Sequence, residues 1–247
     1  MDTPAYLDAA PGRRLAFRRR KGRGPTLVFL PGYRSDMAGS KATALDAWAK
    51  AQGRAMLRFD YSGCGRSDGD FEGQTLDGWR DDALAMIDSV EGPILLVGSS
   101  MGGWLMLLTA LARPERIVGL VGIAAAPDFT DWGFDEARKR LLRERGRLEE
   151  ASPYGEAPYV TTLGFWESGE ALKLLEGEIA LSCPIRLLHG LEDADVPWRV
   201  SHRLMERLRS ADVRMTLVKD GDHRLSRPTD IALLIETVAG LLPDKDA

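Results

Sequence analysis

The sequence predicts an α/β fold with a mostly parallel central sheet and helices on both faces. Three observations carry this prediction. Short apolar runs alternate with amphipathic, helix-like segments along most of the chain. The apolar runs are continuous, which is typical of strands buried on both faces. The chain has 247 residues, enough for one such domain with a large core and an insertion.

The elements are predicted in a regular order along the chain. Residues 14–30 are predicted to form a strand, a turn and a strand, with the basic run 18–21 on the solvated edge of this hairpin. A helix begins at Ser40 and stops at Gly53, and Thr75 caps the next helix. The remaining predicted elements are strands at 55–59, 93–97, 117–123, 185–188 and 213–218, and helices after Ser100, at 200–208 and after Pro228.

The segment 127–182 interrupts this alternation. It joins a highly charged, helix-like stretch at 134–148 to a looser part with three aromatic residues. Functional loops of a parallel sheet gather at the carboxyl ends of its strands, and an insertion between two strands projects from that edge. We therefore predict a core of residues 1–126 and 183–247 and a small helical cap at 127–182 that excludes water from the site. The alternative is a set of surface helices with no role in binding.

Composition and charge exclude several classes of protein. The net charge of −4 lacks the basic excess of nucleic-acid-binding proteins, so no nucleic-acid partner is expected. No segment approaches the ~20 apolar residues that span a bilayer. The first residues show no signal-peptide pattern, and Cys64 and Cys183 require no disulfide. These features together predict a cytoplasmic protein.

The stretch 93–104 carries the strongest chemical signal. An apolar strand ends in Gly98-Ser99-Ser100-Met101-Gly102, and a helical pattern follows at once. This is the G-x-S-x-G pattern in the strand–turn–helix context of a nucleophile elbow. A serine on so tight a turn takes strained backbone dihedrals, and Gly98 and Gly102 remove clashes with neighbouring chain. Ser100 is therefore the candidate nucleophile.

A nucleophilic serine needs a base beside it, and the chain contains three histidines. His202 lies within a predicted helix, where a surface role is expected. His189 ends a predicted strand, where a structural role is expected. His223 lies in the loop after the last strand, at the same edge of the sheet as Ser100. His223 is therefore the candidate base.

The base needs an orienting acid, expected at a strand end between Ser100 and His223. The loop 189–197 offers three carboxylates: Glu192, Asp193 and Asp195. The oxyanion of the reaction needs two backbone N–H donors, for which we assign Met101 and Tyr33. Since the Tyr33 donor is main-chain, a change of its side chain is expected to cost much less than the ~3 kcal/mol typical of a lost donor.

No cofactor or metal is expected. The sequence contains no P-loop pattern, and the glycine-rich turn at 63–69 lacks the G-x-G-x-x-G spacing of a dinucleotide site. The three histidines show no metal-ligand spacing.

Three stretches together resemble the α/β-hydrolase superfamily: 60–67, 98–103 and the acid loop 189–197. A narrower resemblance, carried by 29–33, 58–63, 98–107, 183–190 and 222–224, is to the α/β-hydrolase-domain-containing protein ten group. That group comprises mitochondrial acyl-protein thioesterases of animals, also described as mycophenolic acid acyl-glucuronide esterases. The resemblance implies a triad of Ser100, Asp193 and His223, with Asp195 the second and Glu192 the third choice for the acid. It is least evident in 127–182.

These features predict a serine hydrolase that cleaves acyl esters or thioesters through an acyl-enzyme at Ser100. Its substrate is expected to be a small molecule or an acylated protein. The alternatives are a small-ester carboxylesterase, a carbon–carbon bond hydrolase and a non-catalytic ligand-binding module of the same fold. Because the mechanism requires a neutral His223, activity is expected to fall as the pH drops through ~6.5.

Overall fold

The computed structural model describes residues 3–10, 12–151 and 158–243. The strands are β1 (Ala5–Ala10), β2 (Arg13–Arg20), β3 (Arg23–Leu30), β4 (Arg54–Phe59), β5 (Ile94–Ser99), β6 (Ile117–Ile123), β7 (Arg147–Glu150), β8 (Tyr159–Thr162), β9 (Ile185–Gly190) and β10 (Val213–Val218). The helices are α1 (Ser40–Ala51), α2 (Leu76–Asp88), α3 (Met101–Ala112), α4 (Phe129–Trp132), α5 (Glu136–Arg145), α6 (Leu163–Ala171), α7 (Trp198–Arg207) and α8 (Pro228–Ala239).

Eight strands form one sheet in the order β1-β2-β4-β3-β5-β6-β9-β10, antiparallel from β1 to β4 and parallel from β4 to β10. Helices α2, α3 and α7 contribute to the core on one face, and α1 and α8 contribute to a second core on the other. The prediction of a mostly parallel sheet covered on both faces is therefore confirmed. Strand β5 lies centrally between β3 and β6, and all its residues are buried.

The hairpin predicted for 14–30 is wrong in its pairing. β2 and β3 follow one another in the chain, but β4 lies between them in the sheet, antiparallel to β2 and parallel to β3. The local pattern shows two strands and a turn, and it carries no information about a later strand that inserts between them. The edge strand β1 was not predicted, because all six of its residues are exposed or half-buried and form no apolar run.

The segment between β6 and β9 contains strands as well as the helices of the small helical cap predicted for 127–182. The charged helix α5 ends at Arg145, because Gly146 takes the left-handed conformation with φ 74° and its N–H bonds to Leu142 O. The chain then forms β7, which pairs antiparallel with β8. Residues 152–157, between these two strands, lie outside the described residues. The described part of this segment therefore combines three helices with a β-hairpin.

Candidate active site

Ser100 lies on a strained turn between the central strand and helix α3. Its dihedrals are φ 56° and ψ −122°, a region that residues other than glycine rarely adopt. Its N–H bonds to Ile123 O at 2.9 Å, and its own carbonyl accepts the N–H of Ala126 at 3.1 Å. These bonds to β6 and the following loop hold the turn in place, as a nucleophile elbow requires.

The two glycines of the elbow are required by close approach of the backbone. A Cβ on Gly98 would lie 2.3 Å from the carbonyl oxygen of Gly102. A Cβ on Gly102 would lie 2.1 Å from the carbonyl oxygen of Leu30, at the end of β3. Both distances are far below van der Waals contact, so the turn can form only with glycine at these positions.

The structure brings Ser100, His223 and Asp193 together. His223 Nε2 lies 3.1 Å from Ser100 Oγ, and His223 Nδ1 lies 2.8 Å from Asp193 Oδ2. Since a carboxylate can only accept, Nδ1 carries the imidazole proton and Nε2 is free to accept the serine proton. The Asp193 side chain is fully buried, and the His223 side chain is 19% exposed. This is the hydrogen-bond geometry of a nucleophile, a base and an orienting acid.

Asp193 is held by hydrogen bonds on both of its oxygens. Oδ1 accepts the backbone N–H groups of Asp195 at 2.9 Å and Val196 at 2.8 Å. Burial raises the pKa of the Asp193 carboxyl, but hydrogen bonds from His189, His223 and the Val196 N–H outweigh it and hold that pKa well below its usual range.

The other two candidate acids lie elsewhere. Asp195 is exposed and lines the neighbouring cavity, and Glu192 is exposed. The structure therefore places Asp193, the first choice for the acid, against His223.

The low pKa of the Asp193 carboxyl predicts the shape of the pH–rate profile. The Asp193 carboxylate stays charged at every pH above the usual Asp pKa of about 3.9, and also at somewhat lower pH. His223, by contrast, must be unprotonated to act as a base. We therefore expect kcat/KM to rise with pH on a single-proton acid limb. A profile of kcat/KM from pH 4 to 8 on a p-nitrophenyl ester measures this. A slope of about two on the acid side of a plot of log kcat/KM against pH would contradict this expectation, because it would show that a second group titrates.

Tyr33 and Met101, the two residues predicted to supply the oxyanion donors, line the same cavity as Ser100. No hydrogen bond of the described residues uses either backbone N–H as donor. The lack of a side chain at Gly32 lets the Tyr33 loop lie close to the elbow, since a Cβ on Gly32 would lie 3.1 Å from Ser99 O. Both N–H groups thus remain available to a developing oxyanion.

The Tyr33 side chain has a larger role than its sequence position suggests. Its hydroxyl donates to the carbonyl oxygen of Val160 in β8, at 2.9 Å. Burial raises the pKa of Tyr33 to about 12, so the hydroxyl keeps its proton at neutral pH. Five aromatic rings surround the Tyr33 ring at centroid distances of 5.1 to 6.5 Å: Phe71, Trp79, Phe129, Tyr159 and Phe165. Tyr33 therefore joins the loop after β3 to the 127–182 segment.

Two replacements of Tyr33 are expected to destabilise the protein to different degrees. Tyr33→Phe removes one hydrogen bond and is expected to lower the free energy of unfolding by about 1 kcal/mol. Tyr33→Ala also empties the centre of the aromatic cluster and is expected to cost about 3–5 kcal/mol, with lower kcat/KM as the loop loses its support. Urea unfolding measures both, with the exposed Tyr6→Ala as a control that changes little. Wild-type stability in Tyr33→Ala would contradict this role.

A cavity of about 720 Å³ opens beside Ser100 and His223. The 127–182 segment contributes aromatic side chains to its wall: Phe129, Trp132, Phe134 and Tyr159. Basic residues also line it, among them Arg34, Lys41 and Arg138. A volume in the range of about 300–1,000 Å³, with apolar walls and few polar groups, is usual for small-molecule sites.

One cluster offers metal-ligand atoms. Asp193, Asp195 and His223 each place one such atom within 4.8 Å of the others. Both oxygens of Asp193 and both ring nitrogens of His223 already lie at hydrogen-bond distance from protein groups. The geometry fits a triad better than a metal site, and the absence of a metal and a cofactor stays a prediction.

Two further contacts of the site were not foreseen. Lys41 Nζ donates to Arg224 O at 2.5 Å and to Ser226 Oγ at 3.2 Å, which ties α1 to the His223 loop. Burial lowers the pKa of Lys41 to about 8. His189 Nε2 lies 3.2 Å from Asp193 Oδ2. The sequence shows only that His189 ends a strand, and nothing in it relates Lys41 to a loop about 180 residues later.

Residues 27–232 match the profile of the alpha/beta hydrolase family. This chain belongs to the alpha/beta hydrolase family. The human palmitoyl-protein thioesterase ABHD10, mitochondrial, is 44% identical to it over 233 residues, which cover 92% of this chain and 76% of that protein. The mouse protein of the same name is 42% identical over 243 residues, which cover 96% and 82%.

Solved structures agree with this assignment. Mouse alpha/beta hydrolase domain-containing protein 10 superposes with a TM-score of 0.92 at 40% identity, covering 97% of this chain and 98% of that one. A putative hydrolase from Agrobacterium vitis S4 superposes with a TM-score of 0.89 at 39% identity, covering 94% of each chain. The resemblance inferred from the sequence is confirmed, and the chain is a hydrolase of this family, similar to a thioesterase.

Proposed function

We propose that this protein hydrolyses long-chain acyl thioesters or esters through an acyl-enzyme at Ser100. The hydrogen-bonded array of Ser100, His223 and Asp193, beside a cavity with aromatic walls, carries the proposal. The names of the mammalian relatives, palmitoyl-protein thioesterases, support the choice of acyl group and of leaving group.

The chemistry follows from the positions of these groups. His223 Nε2 takes the hydroxyl proton as Ser100 Oγ attacks the acyl carbon, and the Tyr33 and Met101 N–H groups stabilise the oxyanion. The bond to the leaving group then breaks, and His223 returns the proton to the departing sulfur or oxygen. A water molecule, deprotonated by His223, then attacks the acyl-enzyme. The acyl–Oγ bond breaks, His223 returns its proton to Ser100 Oγ, and the carboxylic acid leaves. Asp193 holds the imidazole tautomer and stabilises the imidazolium in both halves.

The division into core and cap belongs to this proposal. Residues 127–182 act as a cap over residues 1–126 and 183–247, because they supply aromatic side chains to the cavity wall beside Ser100. The Tyr33–Val160 hydrogen bond supports a fixed position of this cap over the oxyanion loop.

The location of the protein stays a proposal as well. The sequence predicts a cytoplasmic protein, whereas the names of the relatives place those proteins in mitochondria, which counts against that prediction. Within the described ranges, no helix combines the length and apolarity needed to cross a bilayer.

A chain-length series tests the substrate class. Matched acyl thioesters and p-nitrophenyl esters from four to sixteen carbons are compared by kcat/KM. We expect kcat/KM to rise with chain length in both series, because each methylene buried in the cavity contributes up to ~0.8 kcal/mol. A maximum at the shortest esters would instead support a small-ester carboxylesterase. If the protein hydrolyses neither series, the remaining alternatives are a carbon–carbon bond hydrolase and a ligand-binding module.

A further inference from the structure

A second histidine, His189, lies beside the acid of the triad. It lies at the end of β9 and is completely buried. Its Nε2 lies 3.2 Å from Asp193 Oδ2 and 2.8 Å from the carbonyl oxygen of Val196. Its Nδ1 lies 2.7 Å from the hydroxyl of Ser201, a residue of α7 that is 1% exposed.

These partners determine where the His189 proton lies. Nε2 faces a carboxylate and a carbonyl, which only accept, so Nε2 carries the hydrogen. Nδ1 faces a hydroxyl, which donates to it when the ring is neutral. In this neutral tautomer the single Nε2 hydrogen bonds to Val196 O with Asp193 Oδ2 next to it, and Ser201 selects the tautomer.

His189 therefore belongs to the polar array around one carboxylate. Ser201 donates to His189 Nδ1, the N–H of His189 Nε2 donates to Val196 O and lies beside Asp193 Oδ2, and His223 links Asp193 Oδ2 to Ser100 Oγ. Two imidazole N–H groups thus lie close to one oxygen, while Oδ1 is held by two backbone N–H groups. The carboxylate cannot rotate without breaking several of these bonds.

We propose that His189, oriented by Ser201, is a positioning residue that fixes Asp193 and limits how much of the Asp193 charge acts on His223. This role rests on the proposed function. Because His189 draws on the same oxygen, less of the carboxylate charge acts on the His223 imidazolium.

Other charged groups near this array also influence His223. Asp195 follows Asp193 on the same loop, and Lys41 of α1 binds the carbonyl of Arg224. Asp222 and Arg224 flank His223 in the sequence. None of these residues is changed in the test below, so their effect is constant across the variants.

Two substitutions of similar size separate positioning from packing. In His189→Gln the side-chain amide lies near the place of Nε2 and keeps a donor toward Asp193. In His189→Asn the amide lies near the place of Nδ1 and retains only the Ser201 side. The readout is the pH profile of kcat/KM on a p-nitrophenyl ester, with thermal unfolding of each variant alongside.

For His189→Asn we expect the acid limb to move up by about half a pH unit or more, because Asp193 then acts on His223 alone. We also expect kcat/KM to fall about tenfold to a hundredfold, because the base is less well placed. His189→Gln should restore the limb toward its wild-type position. Equal losses in both variants with an unmoved limb would overturn the proposal, and so would unchanged profiles in both.

Ser201→Ala decides the matter if His189→Asn fails to fold. It removes one hydroxyl and should move the acid limb of the kcat/KM profile to higher pH, by less than His189→Asn does. An unmoved acid limb would overturn the proposal. Failure of the proposed function itself is recognised separately, as wild-type turnover that does not depend on Ser100. In that case the downfield proton resonance of the His223 Nδ1–H group, compared between wild type and His189→Asn, still tests the sharing of Asp193.

Discussion

Ser100→Ala is expected to lower kcat by about 10⁶-fold on p-nitrophenyl esters and acyl thioesters. The substitution removes the atom that the proposed mechanism acylates, while the proposed oxyanion donors at Tyr33 and Met101 stay in place. Residual activity above the uncatalysed rate is therefore expected from the oxyanion donors and substrate binding alone. The measurement is steady-state turnover at high enzyme concentration, with circular dichroism to show that the variant is folded.

The cysteines are other side chains that could act as nucleophiles, and replacing one of them gives a control for Ser100→Ala. Burial raises the pKa of Cys64 to about 12 and raises the pKa of Cys183, so neither thiol forms a thiolate readily at neutral pH. Cys183→Ala should therefore retain the activity of the wild type. Turnover by Ser100→Ala at the wild-type rate would refute the assignment of the nucleophile.

Asp193→Asn is expected to lower kcat by about 10⁴-fold. The asparagine oxygen can still accept the N–H groups of Asp195 and Val196. Its NH2 group then faces the Nδ1–H of His223, so that two donors face each other. His223 relieves this conflict by moving its proton to Nε2, where it faces Ser100 and can no longer accept the serine proton. The enzyme would thus lose its base while the nucleophile remains intact.

The neighbouring carboxylates are the controls for Asp193→Asn. Asp195 contributes its backbone N–H to Asp193, and that group survives Asp195→Asn. Glu192 is exposed, so Glu192→Gln is also expected to retain activity close to that of the wild type. A loss in Asp195→Asn as large as that in Asp193→Asn, or an Asp193→Asn variant within tenfold of the wild type, would contradict the assignment of the acid.

The parts of the site that follow local rules were predictable from the sequence. The elbow is determined by a strand, a helix and two glycines within a few residues, and Ser100 has the positive φ that such a turn requires. The base followed because the chain has three histidines and only His223 lies in a loop at the correct sheet edge. Buried parallel strands such as β3, β5 and β6 are continuous apolar runs, which identifies them without tertiary information.

What depends on distant contacts was not predictable. Asp193 and Asp195 are alike in a local pattern, and residue chemistry alone left the choice between them open. The insertion of β4 between β2 and β3, and the pairing of β7 with β8, are decided by the whole sheet and by a turn at Gly146. The ring cluster around Tyr33 likewise joins residues that are far apart in the chain.

Covalent labelling of Ser100 tests the central claim most directly. The folded wild-type protein is treated with a fluorophosphonate at neutral pH, and the intact mass and the modified peptide are determined by mass spectrometry. We expect one adduct per chain, on the peptide that contains Ser100, and none in Ser100→Ala. The absence of an adduct in the folded wild type, or an adduct on another residue, would contradict an activated serine nucleophile at this site.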